Sequence, residues 1–288
     1  MEFKDLKDVL TFAAFRPEPD NPRFAWPQRF PRKRTVLVNI SRGRCSWAAI
    51  SRKGTVENTG EADGEFVEIF PQLAETWRTA TEDGWIGISL NNRFIIGLEH
   101  NLSRKKGWQE ELRLNPKSIL GTKHDRTKRY AIHHNPETSA SLVMACDDSM
   151  VRSIEESLRS HNLRAARICS GLFATTANLL NRIAADPGLK NQDLIVASWL
   201  DGSLCLVRQK GGQWQDMRCR SGLSAGDDAT VFQMIRPFLE KADPSTRVVL
   251  MEDRKNGGFS KGYLNQFGNL PVTDVTEENN LWQILSTH

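Results

Sequence analysis

The chain has 288 residues, of which 39% are hydrophobic and 26% are charged, and its formal net charge is +4. This length suits two domains better than one compact core. No apolar run approaches the roughly 18–20 residues that cross a bilayer, and the acidic start MEFKDLKD lacks the pattern of a signal peptide. We therefore expect a cytoplasmic protein with no membrane span.

The positive charge is concentrated in two stretches of the chain. Residues 16–34 carry a net +4 and residues 104–129 a net +6, which leaves −6 for the remainder. Such runs are usually solvated surface. The alternative is a contact with an acidic protein, an anionic lipid or a nucleic acid.

The five cysteines favour neither a disulfide framework nor a zinc site. Their number is odd and no CxxC spacing occurs. We expect them to be small buried hydrophobic residues and we expect no metal site. They are Cys45, Cys146, Cys169, Cys205 and Cys219.

Residues 1–34 are predicted to be an N-terminal extension. Five prolines among the nineteen residues from 16 to 34 exclude regular helix or sheet there. Phe24, Trp26 and Phe30 lie among those prolines. They are predicted either to pack on the body of the protein as an arm or to form a docking peptide for a partner.

The organised core is predicted to begin at Thr35 with three strands, a helix and a fourth strand. The β-branched and apolar composition of the strand segments favours this assignment, and Pro71 is expected near the first turn of the helix or at a kink. In order, the segments are TVLVNI, CSWAAISR, TVENTG, EFVEIFPQLAETWRTA and WIGISL.

The region that follows is predicted to be less regular at first. Asn91-Asn92 favours a hairpin turn into RFIIGLEH, and residues 102–135 form a basic insert, either a small subdomain or a loop. The strand SASLVMAC then leads to a helix with N-cap oxygens from Asp147, Asp148 or Ser149. A second helix, LFATTANLLNRIAA, stops at Asp186.

The first pattern returns about 158 residues later. Asp201-Gly202 is a strong hairpin signal between two strands, and a third strand, a helix and the strand RVVLM follow. Three meandering strands, a helix and a strand therefore occur twice without detectable sequence identity. The predicted domains are residues 35–186, with the insert, and residues 187–288.

This repeated plan resembles the actin-like ATPase superfamily. The segment 130–185, with the strand SLVMAC, the helix SMVRSIEESLRSHNL and then RAARICSGLFATTANLL, looks more narrowly like the pilus-assembly protein PilM and the cytoplasmic domain of the type II secretion protein GspL. The resemblance implies an α/β fold of duplicated ribonuclease-H-like domains around a cleft.

In active members of that superfamily, each half opens with a strand ending in Asp, then a Gly-containing turn and a Ser or Thr. The carboxylate holds a metal-bound water, and the backbone N–H groups of the turn approach the phosphates. In the first half Asn39 replaces the acid and Ser41 the first glycine. The resemblance places this vestigial loop on Asn39, Ser41, Arg42, Gly43, Arg44 and Ser46.

In the second half the same motif falls on residues 198–203. Ser198 replaces the acid and Leu200 the glycine. The other residues carried over are Asp201, Gly202 and Ser203. Trp47 and Trp199 are predicted to occupy matching places in the two halves and to fill the space of a nucleotide.

The glycine pair that backs the adenine in the superfamily is displaced, since Gly257-Gly258 follow RVVLM about five residues late. Loss of both acids should remove several kcal/mol of cation stabilisation. We expect no ATP hydrolysis, no catalytic residue and no bound cofactor. The alternative is ATP with Mg²⁺, or phosphate held by Arg42 and Arg44 without the metal.

The resemblance implies a non-catalytic scaffold of a type IV pilus or type II secretion platform. Its partners would be inner-membrane or cytoplasmic components of that machine, at a cytoplasmic location peripheral to the inner membrane, and a homodimer is left open. Two alternatives remain: an actin-like protein that binds ATP as a conformational switch, and a nucleic-acid-binding module that uses the basic insert.

Overall fold

The computed structural model describes residues 33–101, 115–134, 140–211, 213–224, 226–253, 262–277 and 280–286. The strands are β1 (Thr35–Ser41), β2 (Arg44–Ile50), β3 (Val56–Asp63), β4 (Trp85–Leu90), β5 (Ile96–Asn101), β6 (Lys128–His134), β7 (Ala140–Asp147), β8 (Arg164–Ser170), β9 (Leu194–Leu200), β10 (Ser203–Lys210), β11 (Gln213–Arg220), β12 (Arg247–Glu252) and β13 (Val272–Asp274). The α-helices are α1 (Phe66–Ala80), α2 (Pro116–Leu120), α3 (Asp148–Ser160), α4 (Gly171–Ala185), α5 (Asp228–Leu239) and α6 (Asn280–Ser286).

Two five-stranded sheets have the same strand order. The first is β3-β2-β1-β4-β8 and the second is β11-β10-β9-β12-β13. In each sheet the opening strand pairs antiparallel with the second strand and parallel with the fourth. The predicted duplication is therefore confirmed, and the fold is a duplicated α/β fold of the actin-like kind.

The pairing registers define which residues are equivalent in the two halves. In the first sheet Asn39 pairs with Ser46 and Ser89. In the second sheet Ser198 pairs with Cys205 and Met251. Asn39 and Ser198 are thus equivalent, as the sequence pattern predicts.

The chain divides into two compact units, residues 1–170 with 285–288, and residues 171–284. This division differs from the predicted boundary after residue 186. Helix α4 packs against β9 and β10, so it belongs with the second sheet although it precedes the repeat.

In the first unit, helix α1 packs on β1 and β2 through aromatic side chains. Phe66, Phe70 and Trp77 are buried along one face of the helix, and the rings of Phe70 and Trp77 have centroids 5.6 Å apart. Pro71 lies inside the helix without ending it. Trp77 in turn contacts Trp47 of β2, with centroids 5.9 Å apart.

The first unit also contains a small antiparallel sheet of order β5-β7-β6. The hairpin predicted at Asn91-Asn92 is wrong, because β4 lies between β1 and β8 and β5 pairs with β7. The Asn91 side chain instead accepts from the N–H of Arg93 at 2.8 Å and caps a 3₁₀ turn at Asn92–Phe94.

Helix α3 joins the small sheet to the larger one. The prediction of a side-chain N-cap is wrong at Asp147, whose carboxylate accepts from Lys128 of β6. The helix ends as predicted before Asn162, which adopts the left-handed conformation with φ +58°. Among the described residues, no helix is long and apolar enough to cross a membrane.

Candidate functional site

The residues predicted to form the vestigial phosphate loops lie in two equivalent hairpins. In the first, Ser41 pairs with Arg44 across a turn made by Arg42-Gly43. In the second, Leu200 pairs with Ser203 across Asp201-Gly202, so the structure confirms this predicted hairpin.

The two turns have different backbone conformations. Asp201 and Gly202 both have positive φ, +46° and +67°, which is the pattern of a type I′ turn. In the first turn only Gly43 has a positive φ, +68°. A positive φ explains the glycine in both turns, because a side chain at that position is strained.

Each turn is attached to the loop that joins the third strand of its sheet to the helix that follows, α1 in the first unit and α5 in the second. The Gly43 carbonyl accepts from the N–H of Gly64 at 2.9 Å, and the Gly202 carbonyl accepts from the N–H of Leu223 at 2.8 Å. A second backbone bond is also repeated. The N–H of Asn91 donates to Ile40 at 2.8 Å, and that of Asp253 donates to Trp199 at 3.1 Å.

In each turn, one backbone N–H group donates a hydrogen bond to a carboxylate of the same unit. The N–H of Gly43 donates to Glu65 Oε1 at 3.2 Å, and the N–H of Asp201 donates to Asp253 Oδ2 at 3.4 Å. In a nucleotide-binding relative such N–H groups would be offered to phosphate oxygens. Here the negative partner comes from within each unit.

The position of the first missing acid is filled by a buried polar pair. Asn39 is 3% exposed and its Oδ1 accepts from Ser89 Oγ of β4 at 3.0 Å. Nearby, Asn91 Nδ2 donates to Ser41 Oγ at 3.4 Å. The two pairs lie at the ends of β1 and β4, so the Asn39 amide oxygen is engaged within the first unit.

The second unit has a different interior at the equivalent position. Ser198 and Ser203 are fully buried, and within the described part of the chain their hydroxyls have no hydrogen-bond partner. By strand alternation both lie on the sheet face opposite Trp199. A serine hydroxyl cannot supply the charge of the lost carboxylate.

The two arginines of the first turn differ in their surroundings. Both side chains are exposed, and Arg44 forms an ion pair with Glu61 of β3. Ser46 is half-buried in β2. Of the two cations proposed to bind phosphate without metal, one is therefore already neutralised by a carboxylate.

The predicted match of Trp47 with Trp199 is wrong. Trp199 lies on β9 and Trp47 on β2, so the register makes Ile40 the equivalent of Trp199. Trp199 is stacked on Tyr263, with centroids 5.8 Å apart, within the hydrophobic core of the second unit. Both tryptophans contact residues of their own unit.

Part of the predicted basic insert is described, and two of its cations are paired. Lys128 forms an ion pair with Asp147. Arg129 contacts Asp148 and binds both oxygens of Glu155, at 3.0 and 3.1 Å. The Arg129 contacts attach β6 to α3, and the Lys128 pair joins β6 to the end of β7.

Several predicted site residues lie outside the described part of the chain. They are Phe24, Trp26 and Phe30 of the extension and Gly257 and Gly258. Conversely, sequence reasoning missed Glu65 and Asp253. Glu65 directly precedes α1 and Asp253 directly follows β12, but no local sequence signal connects either acid with its turn.

The repeated sheets and hairpins define an actin-like fold. No family model and no curated protein sequence matches the chain. A Bacteroides thetaiotaomicron protein of unknown function with an actin-like ATPase fold superposes with a TM-score of 0.59 at 11% identity, covering 90% of this chain and 97% of that one.

Two further solved structures relate the fold to particular proteins. A chain of the PilM–PilN type IV pilus biogenesis complex gives a TM-score of 0.58 at 16% identity, over 88% of this chain and 90% of that one. The cytoplasmic domain of EpsL, an inner-membrane component of the Vibrio cholerae type II secretion system, gives 0.52 at 10% identity, over 88% and 92%. The predicted resemblance to the PilM and GspL group is confirmed as a likeness of fold.

Proposed function

We propose that this protein is a non-catalytic actin-like scaffold of a type IV pilus or type II secretion assembly platform. It acts on the cytoplasmic side, peripheral to the inner membrane, and binds inner-membrane or cytoplasmic components of the machine. It needs neither ATP nor a metal for this role.

The observation that carries the non-catalytic part is the occupation of both turns by internal carboxylates. Glu65 accepts from the first turn and Asp253 from the second. A nucleotide phosphate would have to displace a like charge at each turn, and Asn39 and Ser198 offer no carboxylate for Mg²⁺. Both effects act against ATP binding.

The partner role is supported by the fold likeness to proteins that work in such machines. One relative was solved with PilN in a pilus biogenesis complex, and the other belongs to an inner-membrane component of a secretion system. A chain with this fold but without either acid still has surfaces that can bind partner proteins, although it lacks the carboxylates that would hold a metal ion beside a phosphate.

The nucleotide part is tested by melting the protein with ATP, ADP or a non-hydrolysable ATP analogue, each with Mg²⁺. We expect no saturable rise in Tm. A ligand at a hundred times its Kd would stabilise a binding-competent fold by about 2.7 kcal/mol, which a melting curve resolves. A saturable rise with ATP would instead support the nucleotide-switch function.

The partner part is tested by co-elution with the soluble cytoplasmic segments of the type IV pilus and type II secretion proteins of the same organism. We expect a stable complex with one of them. We also propose that Phe24, Trp26 and Phe30 form its docking peptide, so replacing the three by alanine should abolish co-elution.

The matched control is Phe232→Ala, which removes an aromatic side chain that is 45% exposed on α5. This variant should still co-elute with the partner. Retained binding by the triple variant would place the interface outside the extension, and loss of binding in both variants would show that the effect is not specific to it. Failure of every assembly component to bind the unmodified chain would contradict the scaffold role.

A further inference from the structure

Two cysteines face each other across the second and third strands of the second sheet. Cys205 of β10 is directly opposite Cys219 of β11 in the antiparallel register. Cys219 Sγ donates to Cys205 Sγ at 3.1 Å. All five cysteines are reduced thiols in the structure.

A β-bulge creates this juxtaposition. Lys210 pairs with Gln213 across the turn, and continuing that register would place Arg218 opposite Cys205. The register shifts by one residue between Arg208 and Gln209, which moves Cys219 into that position. An extra residue in one strand is the normal effect of a bulge.

We infer that Cys205 and Cys219 form a reversible thiol-oxidation site that a hydroperoxide converts to a cross-strand disulfide. The geometry requires little movement. Directly opposite residues in an antiparallel pair have Cα atoms about 4.5–5.5 Å apart, within the range a disulfide spans, and the sulfurs must approach by only about 1 Å.

The order of reaction follows from exposure. Cys219 is half-buried at the edge strand, whereas Cys205 is fully buried. The Cys219 thiolate attacks the peroxide, the O–O bond breaks, and a sulfenic acid and an alcohol form. The Cys205 sulfur then attacks the sulfenic sulfur, so that the S–S bond forms and water leaves. A dithiol reductant restores both thiols.

The remaining cysteines are poor competitors for the oxidant. Burial raises the pKa of the Cys45, Cys146 and Cys169 thiols to about 12, so each stays protonated near neutral pH. The thiolate is the reactive form. No other pair of described cysteines is paired across neighbouring strands.

The new bond would fasten an edge of the sheet close to the second vestigial loop. Among the described strands β11 pairs with β10 alone, and Cys205 also pairs with Ser198 of β9. Oxidation should therefore raise the melting temperature of the protein and slow amide hydrogen exchange in β11.

The test treats the full chain with tert-butyl hydroperoxide, blocks residual thiols with iodoacetamide and cleaves after lysine without reduction. Cys205 and Cys219 are the sole cysteines of the peptides 191–210 and 211–241. We expect these two peptides to be joined, and dithiothreitol to separate them and to return the Tm to its original value.

Matched variants distinguish this site from general oxidation. Cys205→Ser and Cys219→Ser should each lose the joined peptide, and Cys45→Ser should retain it. Because Cys219 is half-buried, its replacement leaves a folded protein, which circular dichroism verifies. The inference is overturned if the two peptides stay separate while Cys219 is oxidised, or if another cysteine forms the cross-link.

Discussion

The two units share a backbone plan while their interiors use different side chains. In both, the hairpin glycine carbonyl accepts an N–H from the loop between the third strand and the helix that follows it. Gly64 donates to Gly43, and Leu223 donates to Gly202. In both, the residue after the fourth strand donates its N–H to the opening strand. These repeated backbone bonds hold the hairpin without requiring any particular side chain.

The interior at the position of the lost acid differs between the units. The first unit buries Asn39 hydrogen-bonded to Ser89, whereas the second buries Ser198 with no hydroxyl partner among the described residues. The difference teaches that the same backbone position accommodates two different buried polar arrangements within one strand order. It also explains why topology reveals the duplication and residue identity does not.

The largest expected difference between the two units is the stability cost of breaking the ion pair made by the residue just before the opening strand, β1 or β9. Asp193 and its ion-pair partner Arg208 are each 6% exposed, and Arg208 also donates to the Phe238 carbonyl at 3.2 Å. Arg208→Ala should cost about 3–5 kcal/mol, because it leaves a buried carboxylate uncompensated. The equivalent of Asp193 is Arg34, whose pair with Glu57 is exposed, so Arg34→Ala should cost less than about 1 kcal/mol.

Urea unfolding measures the cost of each variant, and hydrogen exchange localises it to β9 and β10 for Arg208→Ala and to β1 to β3 for Arg34→Ala. As a control, Arg208→Met combined with Asp193→Leu should recover most of the loss, because apolar residues of similar volume replace a buried pair well. Equal costs for Arg208→Ala and Arg34→Ala would contradict this difference between the units.

The two turn glycines provide a second matched pair. Both have left-handed φ, so alanine should cost about 1–2 kcal/mol at either site. At Gly202 an added Cβ would also lie 2.5 Å from the Leu223 carbonyl oxygen, whereas at Gly43 nothing lies within 4 Å. Gly202→Ala should therefore cost about 1–3 kcal/mol more.

Thermal melts of Gly43→Ala and Gly202→Ala give this difference directly. A matched control is Gly211→Ala in the turn between β10 and β11, since Gly211 also has a positive φ, +57°, and nothing within 4 Å of its Cβ direction. It should resemble Gly43→Ala. A smaller loss of stability for Gly202→Ala than for Gly43→Ala would contradict this prediction, and would show that the loop containing Leu223 moves to make room for the methyl group.

Sequence patterns predicted most of the two large sheets because their signals are local. The Asp201-Gly202 hairpin and the buried strands beside it follow from turn residues and apolar runs. The hairpin predicted at Asn91-Asn92 was wrong because asparagine is common both in hairpin turns and as the cap of 3₁₀ turns, and the local sequence does not distinguish the two. The pairing of β4 with β1 and β8, a long-range fact, decided between them.

The candidate site was predictable only in part. The replacement of both acids is visible in the sequence, and the registers confirm that Asn39 and Ser198 are equivalent. The carboxylates of Glu65 and Asp253 could not be assigned to the turns, because residues 22 and 52 positions away supply the contacts. The bulge that aligns Cys205 with Cys219 is likewise absent from any local pattern.

A third comparison uses the equivalent buried positions themselves. Asn39→Ala leaves the Ser89 hydroxyl buried without its acceptor and should cost about 1–3 kcal/mol. Ser198→Ala removes a buried hydroxyl that has no partner in the described chain, so it should leave the free energy of unfolding unchanged or raise it. Urea titration of both variants checks this, and a large loss for Ser198→Ala would reveal a partner for its hydroxyl, such as a bound water.

The smallest expected effect is a pH dependence that belongs to the first unit. Burial raises the pKa of the Asp148 carboxyl, but hydrogen bonds from Arg129 and Arg152 outweigh it and hold this pKa below its ordinary value. The stabilisation is therefore present above about pH 3.9, the ordinary value, and is lost as the pH falls through the folded-state pKa. Asp148→Asn should cost about 1 kcal/mol at neutral pH and nothing once the carboxyl is protonated. Urea midpoints measured from neutral to acid pH should converge for the two proteins, and a constant gap would assign the cost to packing instead of charge.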